Sequence, residues 1–383
     1  MGTPIDYLPE AISEDAINCL LVANGLPKAS TIVRPQVVAQ YHVIYLITLP
    51  SNNKTGHLEL VLRVSGHHLP YIKTENEVGV MSWIGKHTTI PIPDIIAYDS
   101  SVDNPIAHEY TLLSRVEGMT LSEIYQTLSH QQISQILNQL IDFMTQLHAY
   151  EWKSIGGLRL DDHGGLVVGQ IVDETFWQNA DIEKLWPRGE TVTTLNIGGP
   201  YPSYIEYISA QVRTNVRLIK IHEKLAFMMD TIPRIEAFLA ALQKHANELN
   251  NVSLRLAHKD LHFANMLYDA SSNRITAILD WEFSGIVPFP LWNPRRSFLW
   301  NGQDDEDSRI EKQRLLDLFS QRCKASGVTL MQDAKFSTPR QESMQKVADF
   351  LRAIVEVSPR EQRADLVQSW KATMLENIAH FDV

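Results

Sequence analysis

The chain has 383 residues, of which 44% are hydrophobic and 21% charged, an ordinary globular composition that is long enough for two lobes. Its formal net charge is −11 and no basic run stands out, which argues against nucleic acid or an anionic membrane as a partner. Cys19 and Cys323 imply no disulfide framework, and neither a leader pattern nor an apolar run of transmembrane length occurs, so we expect a soluble cytoplasmic protein, monomeric or homodimeric.

The first 116 residues predict a small lobe that is built mainly from strands. A helix is predicted over residues 13–24, because Ser13 can cap it and Gly25 can end it. Runs rich in β-branched and aromatic residues then predict five strands, and a Ser/Asn/Gly-rich run between two of them predicts a long hairpin loop. One further helix is predicted between the third and fourth strands. The ranges are 31–38, 41–49 and 58–64 for three strands, 51–56 for the hairpin loop, 71–86 for the helix, and 94–97 and 110–116 for two more strands.

This order of three strands, one helix and two strands resembles the amino-terminal lobe of protein kinases. The resemblance places Arg63 where kinases have the lysine of the third strand, and Glu77 where they have the glutamate of the helix. In kinases that pair must be in place to hold the nucleotide phosphates. Arginine keeps the positive charge but presents a planar fork, so the contact geometry differs. The alternative is a surface ion pair across the lobe.

Residues 112–118 occupy the place of the hinge between two kinase lobes. The resemblance implies that the backbones of Ser114 and Val116 pair with an adenine edge, and that Gly118 lets the chain turn. It also expects a glycine in the loop that covers the phosphates, but residues 37–42 contain none. Because glycine permits backbone conformations that other residues resist, either this loop is wider or nucleotide binding is altered or lost.

From residue 117 onward the pattern changes to long helices. Residues 133–147 repeat apolar side chains at helical spacing and predict a buried central helix. Residues 150–250 form an insertion, and its first part, 150–202, is irregular and rich in Gly, Trp and Asp. A loop of that length is usually functional or mobile, so it either recognises the acceptor or merely covers the lobe. Further helices are predicted over 204–223, 225–249, 311–323, 342–357 and 359–378.

The stretch that carries the chemistry begins at residue 256. Asp260 and Asn265 have the spacing of a kinase catalytic loop, in which the Asp accepts the substrate hydroxyl proton and the Asn holds magnesium. Apolar runs at 266–268 and 275–279, on either side of a Ser/Asn-rich turn, predict a hairpin that brings Asp280 back beside Asn265. Magnesium suits such a site, since one or two protein groups plus substrate phosphates usually hold it.

The combined pattern H-x-D-x-x-x-x-N and I-x-D-x-E resembles the aminoglycoside phosphotransferase/choline kinase family, and the resemblance covers most of the chain. It implies that Asp260 is the catalytic Asp, that His258 supports the catalytic loop, and that Asn265 and Asp280 are the metal ligands. His258 and His262 also stand four residues apart, as a zinc pair does. Asn265 and Asp280 are poor companions for zinc, which disfavours that alternative.

The resemblance implies an α+β, protein-kinase-like two-lobed fold. A small antiparallel sheet lobe would span residues 1–116, and a large, mainly helical lobe would span 117–383. The implied activity is that of a small-molecule kinase, which moves the γ-phosphate of ATP, with Mg²⁺, to a hydroxyl of a metabolite or aminoglycoside-like acceptor. The alternative is a kinase-fold protein that has lost phosphoryl transfer and binds a small molecule, or performs other chemistry on it.

Two acidic features of the sequence can each be interpreted in two ways. Glu282 either forms a structural ion pair or contacts the substrate. The acidic cluster at residues 304–307 either attracts an amine on the acceptor or begins a solvated helix, since acidic side chains favour that end of a helix.

Overall fold

The computed structural model describes residues 7–36, 39–51, 58–292, 303 and 305–383. Its first part is a five-stranded antiparallel sheet in the order β1-β2-β3-β5-β4, with one helix before it and one within it. The elements are α1 (Glu14–Ala23), β1 (Thr31–Val33), β2 (His42–Thr48), β3 (Glu59–Ser65), α2 (Ile72–His87), β4 (Ile95–Asp99) and β5 (Tyr110–Ser114).

Strand β3 lies at the centre of this sheet, and its side chains alternate between the buried face and the opposite face. Leu60, Leu62 and Val64 are fully buried in the core that the sheet shares with α1. Successive side chains of a strand point to opposite faces, so Arg63 points away from that core. The register pairs Arg63 with Ile44 on one side and Thr111 on the other, which fixes its position in the middle of the second face.

Helix α2 lies in the first part of the sequence but packs mainly against the second. Its residues Val80, Met81, Trp83 and Ile84 belong to the large core of the remaining chain rather than to the core under the sheet. Gly79 permits this packing, because a Cβ at that position would overlap the backbone of Leu158. The division of the chain at residue 116 therefore stays a prediction.

The second part combines helices with three small sheets, ordered β11-β10-β6, β12-β9 and β7-β8. Its strands are β6 (Met119–Thr120), β7 (Gly157–Leu160), β8 (Leu166–Gly169), β9 (Leu254–Ala257), β10 (Met266–Asp269), β11 (Arg274–Ile278) and β12 (Gly285–Pro288). Its helices are α3 (Leu121–Ile124), α4 (His130–His148), α5 (Asn179–Leu185), α6 (Val192–Leu195), α7 (Tyr204–Ile221), α8 (Ile232–Leu242), α9 (Ala246–Leu249), α10 (Glu306–Ala325), α11 (Leu330–Asp333), α12 (Pro339–Val357) and α13 (Ala364–Ala379).

Helix α4 is the predicted central helix. A capping box between Ser129 and Gln132 begins it, and its apolar stripe, including Leu137 and Leu140, is fully buried. The predicted hairpin also forms, because β10 and β11 pair in antiparallel fashion from Met266↔Ile278 to Asp269↔Arg274. Both elements could be predicted because each depends on the spacing of apolar residues within a short stretch of sequence.

Several predicted bounds were wrong. The strand expected over 31–38 is only Thr31–Val33 among the residues that the structure describes. The helix expected over 225–249 is broken into a 3-10 stretch at Glu223–Thr231 and the helices α8 and α9, since Pro233 begins a new helix at its first turn. The helix expected from 359 begins only at Ala364, after Arg363 in a left-handed conformation.

The segment expected to be irregular, 150–202, contains the β7–β8 hairpin and two short helices. Residues 37–38, most of the hairpin loop (52–56) and Asp304 lie outside the described residues. Asp305 caps α10 by accepting a 2.9 Å bond from the Ser308 N–H, so the described part of the acidic cluster begins a helix. No helix in the described ranges is long and apolar enough to cross a membrane.

Candidate active site

A cleft of about 1000 Å³ lies between the face of the five-stranded sheet that carries Arg63 and the loop of residues 258–265. We call this loop the catalytic loop, after the family resemblance. Residues from both parts of the chain line the cleft, so the fold brings together groups that are more than 200 positions apart. The predicted site residues on its walls are Arg63, Ser114, Val116, Asp260, Asn265 and Asp280. Glu77 and His258, the other two predicted residues, do not line the cleft, but each contacts a residue that does.

The catalytic loop follows β9 and is closed by hydrogen bonds among its own members. The side-chain amide nitrogen of Asn265 donates to the backbone carbonyl of Asp260 at 3.0 Å. The backbone N–H of Asp260 donates to Nδ1 of His258 at 3.3 Å. Nε2 of His262 lies 3.3 Å from Oδ2 of Asp260. These bonds hold the backbone of Asp260 while its side chain lines the cleft.

His258 joins this loop to the strand that carries Asp280. Its Nε2–H donates to the carbonyl of Leu279 at 2.8 Å, and its ring packs 4.5 Å from that of Trp281. Burial lowers the pKa of His258, which keeps the imidazole neutral, as one donating and one accepting nitrogen require. His258 therefore links the loop that carries Asp260 to the segment that carries Asp280.

The β10–β11 hairpin returns the chain to the catalytic loop as predicted. The Leu279 N–H donates to the carbonyl of Asn265 at 2.9 Å, so Asp280 follows directly beside Asn265. Asp280 has a φ of +66°, a left-handed conformation that Asp and Asn tolerate better than most residues. This turn places the Asp280 carboxylate in the cleft.

Arg63 connects the sheet, helix α2 and the Asp280 turn. Its guanidinium forms ion pairs with Glu77 and, at 2.8 Å, with Oδ1 of Asp280, and it also lies 3.3 Å from Nδ1 of His42. Burial disfavours the charge, but Glu77 and Asp280 outweigh burial and hold the pKa of Arg63 above its usual value. The arginine fork thus bridges two carboxylates, which a lysine at this position would contact as a point charge.

The donor atoms at Asn265 and Asp280 suit a hard cation. The amide nitrogen of Asn265 is engaged by Asp260, which leaves its amide oxygen as the group available to a metal. Asp280 uses Oδ1 toward Arg63, and its second oxygen lies in the same cleft. Among the described residues no group of three or more His, Cys, Asp or Glu could hold a metal. Two oxygen donors on one cleft wall match the number of protein groups that usually hold Mg²⁺.

Sequence reasoning missed a buried network that surrounds this centre. Lys73, one turn before Glu77 on α2, donates to Oε2 of Glu282 at 2.6 Å and lies 3.1 Å from Nε2 of His42. Burial raises the pKa of Glu282 to about 7, against the opposing effect of Lys73. Of the two interpretations of Glu282, its contacts support the structural ion pair.

Asn76 is a second group that the sequence did not single out. Its amide nitrogen donates to the carbonyls of Glu282 at 2.9 Å and Ser284 at 2.8 Å, and its oxygen accepts from the Leu158 N–H at 2.8 Å. Helix α2 is thereby tied both to the segment after Asp280 and to β7. The spacing of Lys73, Asn76 and Glu77 on one helix is the only sequence signal that points to this role.

The insertion also reaches the catalytic loop. Lys259 Nζ donates to the carbonyl of Val172 at 2.6 Å and to Oδ2 of Asp173 at 2.9 Å. Glu174, the next residue, lines the cleft. The irregular part of the insertion therefore contacts the residue that precedes Asp260.

The loop without glycine forms part of the cleft wall. Ala39, Gln40 and Tyr41 line the cleft, and the ring of Tyr41 packs edge-on against Phe283 with centroids 5.1 Å apart. Residues 37–38 lie outside the described part of the chain. The stretch in which a glycine was expected is thus anchored, at Tyr41, by aromatic packing against Phe283.

Comparisons with known proteins identify the family of this chain. The sequence profile of the phosphotransferase enzyme family (APH) matches residues 45–289. A subtelomeric hrmA-associated cluster protein of Aspergillus fumigatus is 22% identical over 257 residues, which cover 56% of this chain and 50% of that protein. A clavilactone A biosynthesis cluster protein of Ampulloclitocybe clavipes is 25% identical over 229 residues, 57% of this chain and 53% of that protein. The chain thus spans about half the length of these relatives.

Among solved structures, the gentamicin complex of the aminoglycoside phosphotransferase APH(2")-IIa superposes with a TM-score of 0.51. The match covers 96% of this chain and 97% of that one at 12% identity. A likeness at this identity shows the fold alone, and it confirms the predicted kinase-like architecture of a small antiparallel sheet and a large helical part.

Proposed function

Because the chain belongs to the phosphotransferase enzyme family, we propose that it transfers the γ-phosphoryl group of ATP to a hydroxyl group of a small molecule. The observation that carries this proposal is the convergence of Asp260, Asn265, Asp280 and Arg63 on one cleft, with Glu77 paired to Arg63. A proton acceptor, two oxygen donors for a cation and a positive charge for phosphate are the parts that phosphoryl transfer requires.

In the proposed reaction Asp260 orients the acceptor hydroxyl and takes its proton. The acceptor oxygen forms a bond to the γ-phosphorus while the bond from that phosphorus to the β–γ bridging oxygen breaks, and ADP leaves with the electron pair. Arg63 neutralises phosphate charge, and the walls at Ser114 and Val116 hold the nucleobase. Positioning and charge neutralisation supply most of the rate enhancement in such a mechanism.

Asn265 and Asp280 would hold Mg²⁺ in this cleft. When bound, the ion neutralises negative charge on the phosphates. The 2.8 Å ion pair between Arg63 and Asp280 occupies one carboxylate oxygen, so one oxygen of Asp280 and the amide oxygen of Asn265 are the protein donors.

A second candidate is a kinase-fold protein that binds a small molecule without transferring phosphate. Two observations favour it: Arg63 already neutralises Asp280, and Tyr41 packs where the glycine-containing loop was expected. Arg63 competes with a cation for the Asp280 carboxylate, and the phosphate-covering stretch lacks the expected glycine. The two candidates differ in whether the cleft binds Mg-ATP.

Thermal unfolding with and without Mg-ATP separates them. A ligand at a hundredfold excess over its Kd stabilises the native state by about 2.7 kcal/mol, so the native chain should unfold at a higher temperature with Mg-ATP. Asp280→Asn should lose that shift, because it removes the carboxylate but keeps a residue that tolerates the left-handed backbone. Asp382→Asn is the matched control, since Asp382 also has a positive φ (+59°) but lies outside the cleft. No shift in the native chain would favour the second candidate.

A further inference from the structure

His262 lines the cleft, but the proposed reaction assigns it no task. It stands between Asp260 and Asn265 on the catalytic loop, and like Asp260 it is partly buried. Each of its ring nitrogens lies near a different group of that loop. What the ring does there follows from which nitrogen carries its hydrogen.

The hydrogen of the His262 ring is located by its contacts. Nδ1 accepts the backbone N–H of Ala264 at 3.2 Å and so caps the 3-10 turn Phe263–Asn265. An imidazole that accepts at Nδ1 carries its hydrogen at Nε2. The side-chain nitrogen of Asn265 lies 3.4 Å from Nε2, but it is a donor too, and its 3.0 Å bond to the Asp260 carbonyl fixes the orientation of that amide. The Nε2–H therefore requires a different acceptor.

The Asp260 carboxylate supplies an acceptor for this Nε2–H. Oδ2 of Asp260 lies 3.3 Å from Nε2 of His262. Hydrogen bonds among catalytic groups are often long in a free enzyme and shorten when substrate binds. The bonds to His258 and Asn265 involve the backbone of Asp260, whereas this contact involves its carboxylate. His262 thus acts on the group that the proposed reaction uses.

A donor on one oxygen of a carboxylate limits how the whole group can turn. The torsion about the Cβ–Cγ bond of an aspartate has only a broad preference, so an unconstrained carboxylate takes many orientations. A charge-assisted bond to Oδ2 narrows that range. In the proposed reaction, the hydroxyl of a bound acceptor would then meet a carboxylate oxygen that is already in place.

We infer that His262 is a positioning residue for phosphoryl transfer: its Nε2–H orients the Asp260 carboxylate, and its Nδ1 holds the turn that carries Asn265. The inference rests on the proposed function, in which Asp260 takes the proton of the acceptor hydroxyl. That proton goes to Asp260, and none moves to or from His262. One ring therefore links the proton acceptor to a residue proposed to hold the cation.

Two substitutions separate the tasks of the two nitrogens of His262. Asparagine places an amide oxygen near the position of Nδ1, so His262→Asn keeps the cap on Ala264 but has no atom that reaches Asp260. Glutamine is one methylene longer and places its amide near Nε2, so His262→Gln keeps a donor to Asp260 and weakens the cap. Turnover is measured as ADP release from Mg-ATP with a panel of small-molecule alcohols. In His262→Asn kcat should fall about 10- to 100-fold, His262→Gln should recover most of that loss, and KM for Mg-ATP should change little in either variant.

His222 provides a matched control outside the cleft. Its Nδ1 also caps a 3-10 stretch, by accepting the Lys224 N–H at 3.2 Å, and its Nε2–H donates to the carbonyl of Leu185 at 2.9 Å. His222→Asn and His222→Gln therefore remove the same atoms from a ring with similar contacts, and neither should change kcat. If His262 only capped its turn, His262→Gln would lose more activity than His262→Asn. That order, a native kcat in His262→Asn, or equal losses in both variants would overturn the inference.

NMR of the nucleotide-free protein with nitrogen-labelled histidine tests the contact without any acceptor. The His262 signals are assigned by their absence in His262→Asn. They should show hydrogen at Nε2, as those of His222 should, and in Asp260→Ala the Nε2–H signal of His262, but not that of His222, should shift and exchange faster with water. Hydrogen at Nδ1, or an Nε2–H signal of His262 that is unchanged in Asp260→Ala, would contradict the inference. Failure of the proposed function would appear instead as the absence of a thermal shift with Mg-ATP in the native chain.

Discussion

Asp260 owes its position to its neighbours on the catalytic loop. Its backbone N–H and carbonyl are bonded to His258 and Asn265, and these two residues are bonded in turn to the segment around Leu279. The carboxylate is therefore presented by a loop that is fixed at both ends. In the proposed reaction, preorganisation of this kind would let Asp260 take the proton without a rearrangement.

Asp260→Asn should lower turnover by about 10²- to 10⁴-fold, because a neutral amide cannot take the hydroxyl proton. The thermal shift with Mg-ATP should remain, since Asn265, Asp280 and Arg63 are unchanged. Turnover is followed as ADP release from Mg-ATP in the presence of a panel of small-molecule alcohols. Asp162→Asn, in the exposed β7–β8 turn, controls for loss of a carboxylate elsewhere. Turnover that survives in Asp260→Asn would remove Asp260 from the proposed mechanism.

Sequence reasoning could find Asp260, Asn265 and Asp280 because short-range spacing and one hairpin determine how they meet. Lys73 and Glu282 are 209 residues apart, and no local pattern relates them. Their pairing follows from the packing of α2 against the second part of the chain, which is a property of tertiary structure. A cavity of about 620 Å³ in the helical part was missed for the same reason, since α7, α12 and the insertion together form its walls.

At the scale of elements, helix α2 is the part on which the cleft most depends. It carries Glu77 toward Arg63, Lys73 toward Glu282 and Asn76 toward the backbone after Asp280. The sequence predicted this helix almost to its bounds. It did not predict the partner of the helix, because α2 is buried on most of its surface and lacks a single apolar stripe.

Two glycines of α2 provide a matched test of its packing. Gly79→Ala should destabilise the protein by about 1–3 kcal/mol and reduce the Mg-ATP shift, because the added Cβ would overlap the backbone of Leu158 and push Glu77 away from Arg63. Gly85→Ala should instead stabilise it by up to about 1 kcal/mol, since Gly85 is exposed and its Cβ would lie 3.7 Å from Ile92. Denaturant unfolding measures both. Equal effects of the two substitutions would show that contact with Leu158 does not control the position of α2.

At the scale of the whole molecule, buried histidines make stability depend on pH. Burial lowers the pKa of His42, His68, His148 and His258, to about 4 for His68 and about 3 for His148. Each binds a proton more readily in the unfolded chain, where the pKa is near 6.5, than in the folded one. Their contribution to stability is therefore complete above pH 6.5 and is lost as the pH falls below it. Buried Glu282, whose pKa is raised, acts in the opposite direction.

His148→Phe isolates one of these groups. The His148 ring packs 4.4 Å from Phe289 and 5.2 Å from Trp292, and its buried Nδ1 has no hydrogen-bond partner among the described residues, so phenylalanine should keep the packing. Between pH 7.5 and pH 5 the native chain should lose about 2 kcal/mol more stability than the variant, and most of that loss should fall below pH 6.5. Urea unfolding of both chains at pH 7.5, 6.5 and 5 gives this difference directly. Parallel profiles would mean that His148 binds its proton as readily in the folded chain as in the unfolded one, which a histidine enclosed by two aromatic rings should not do.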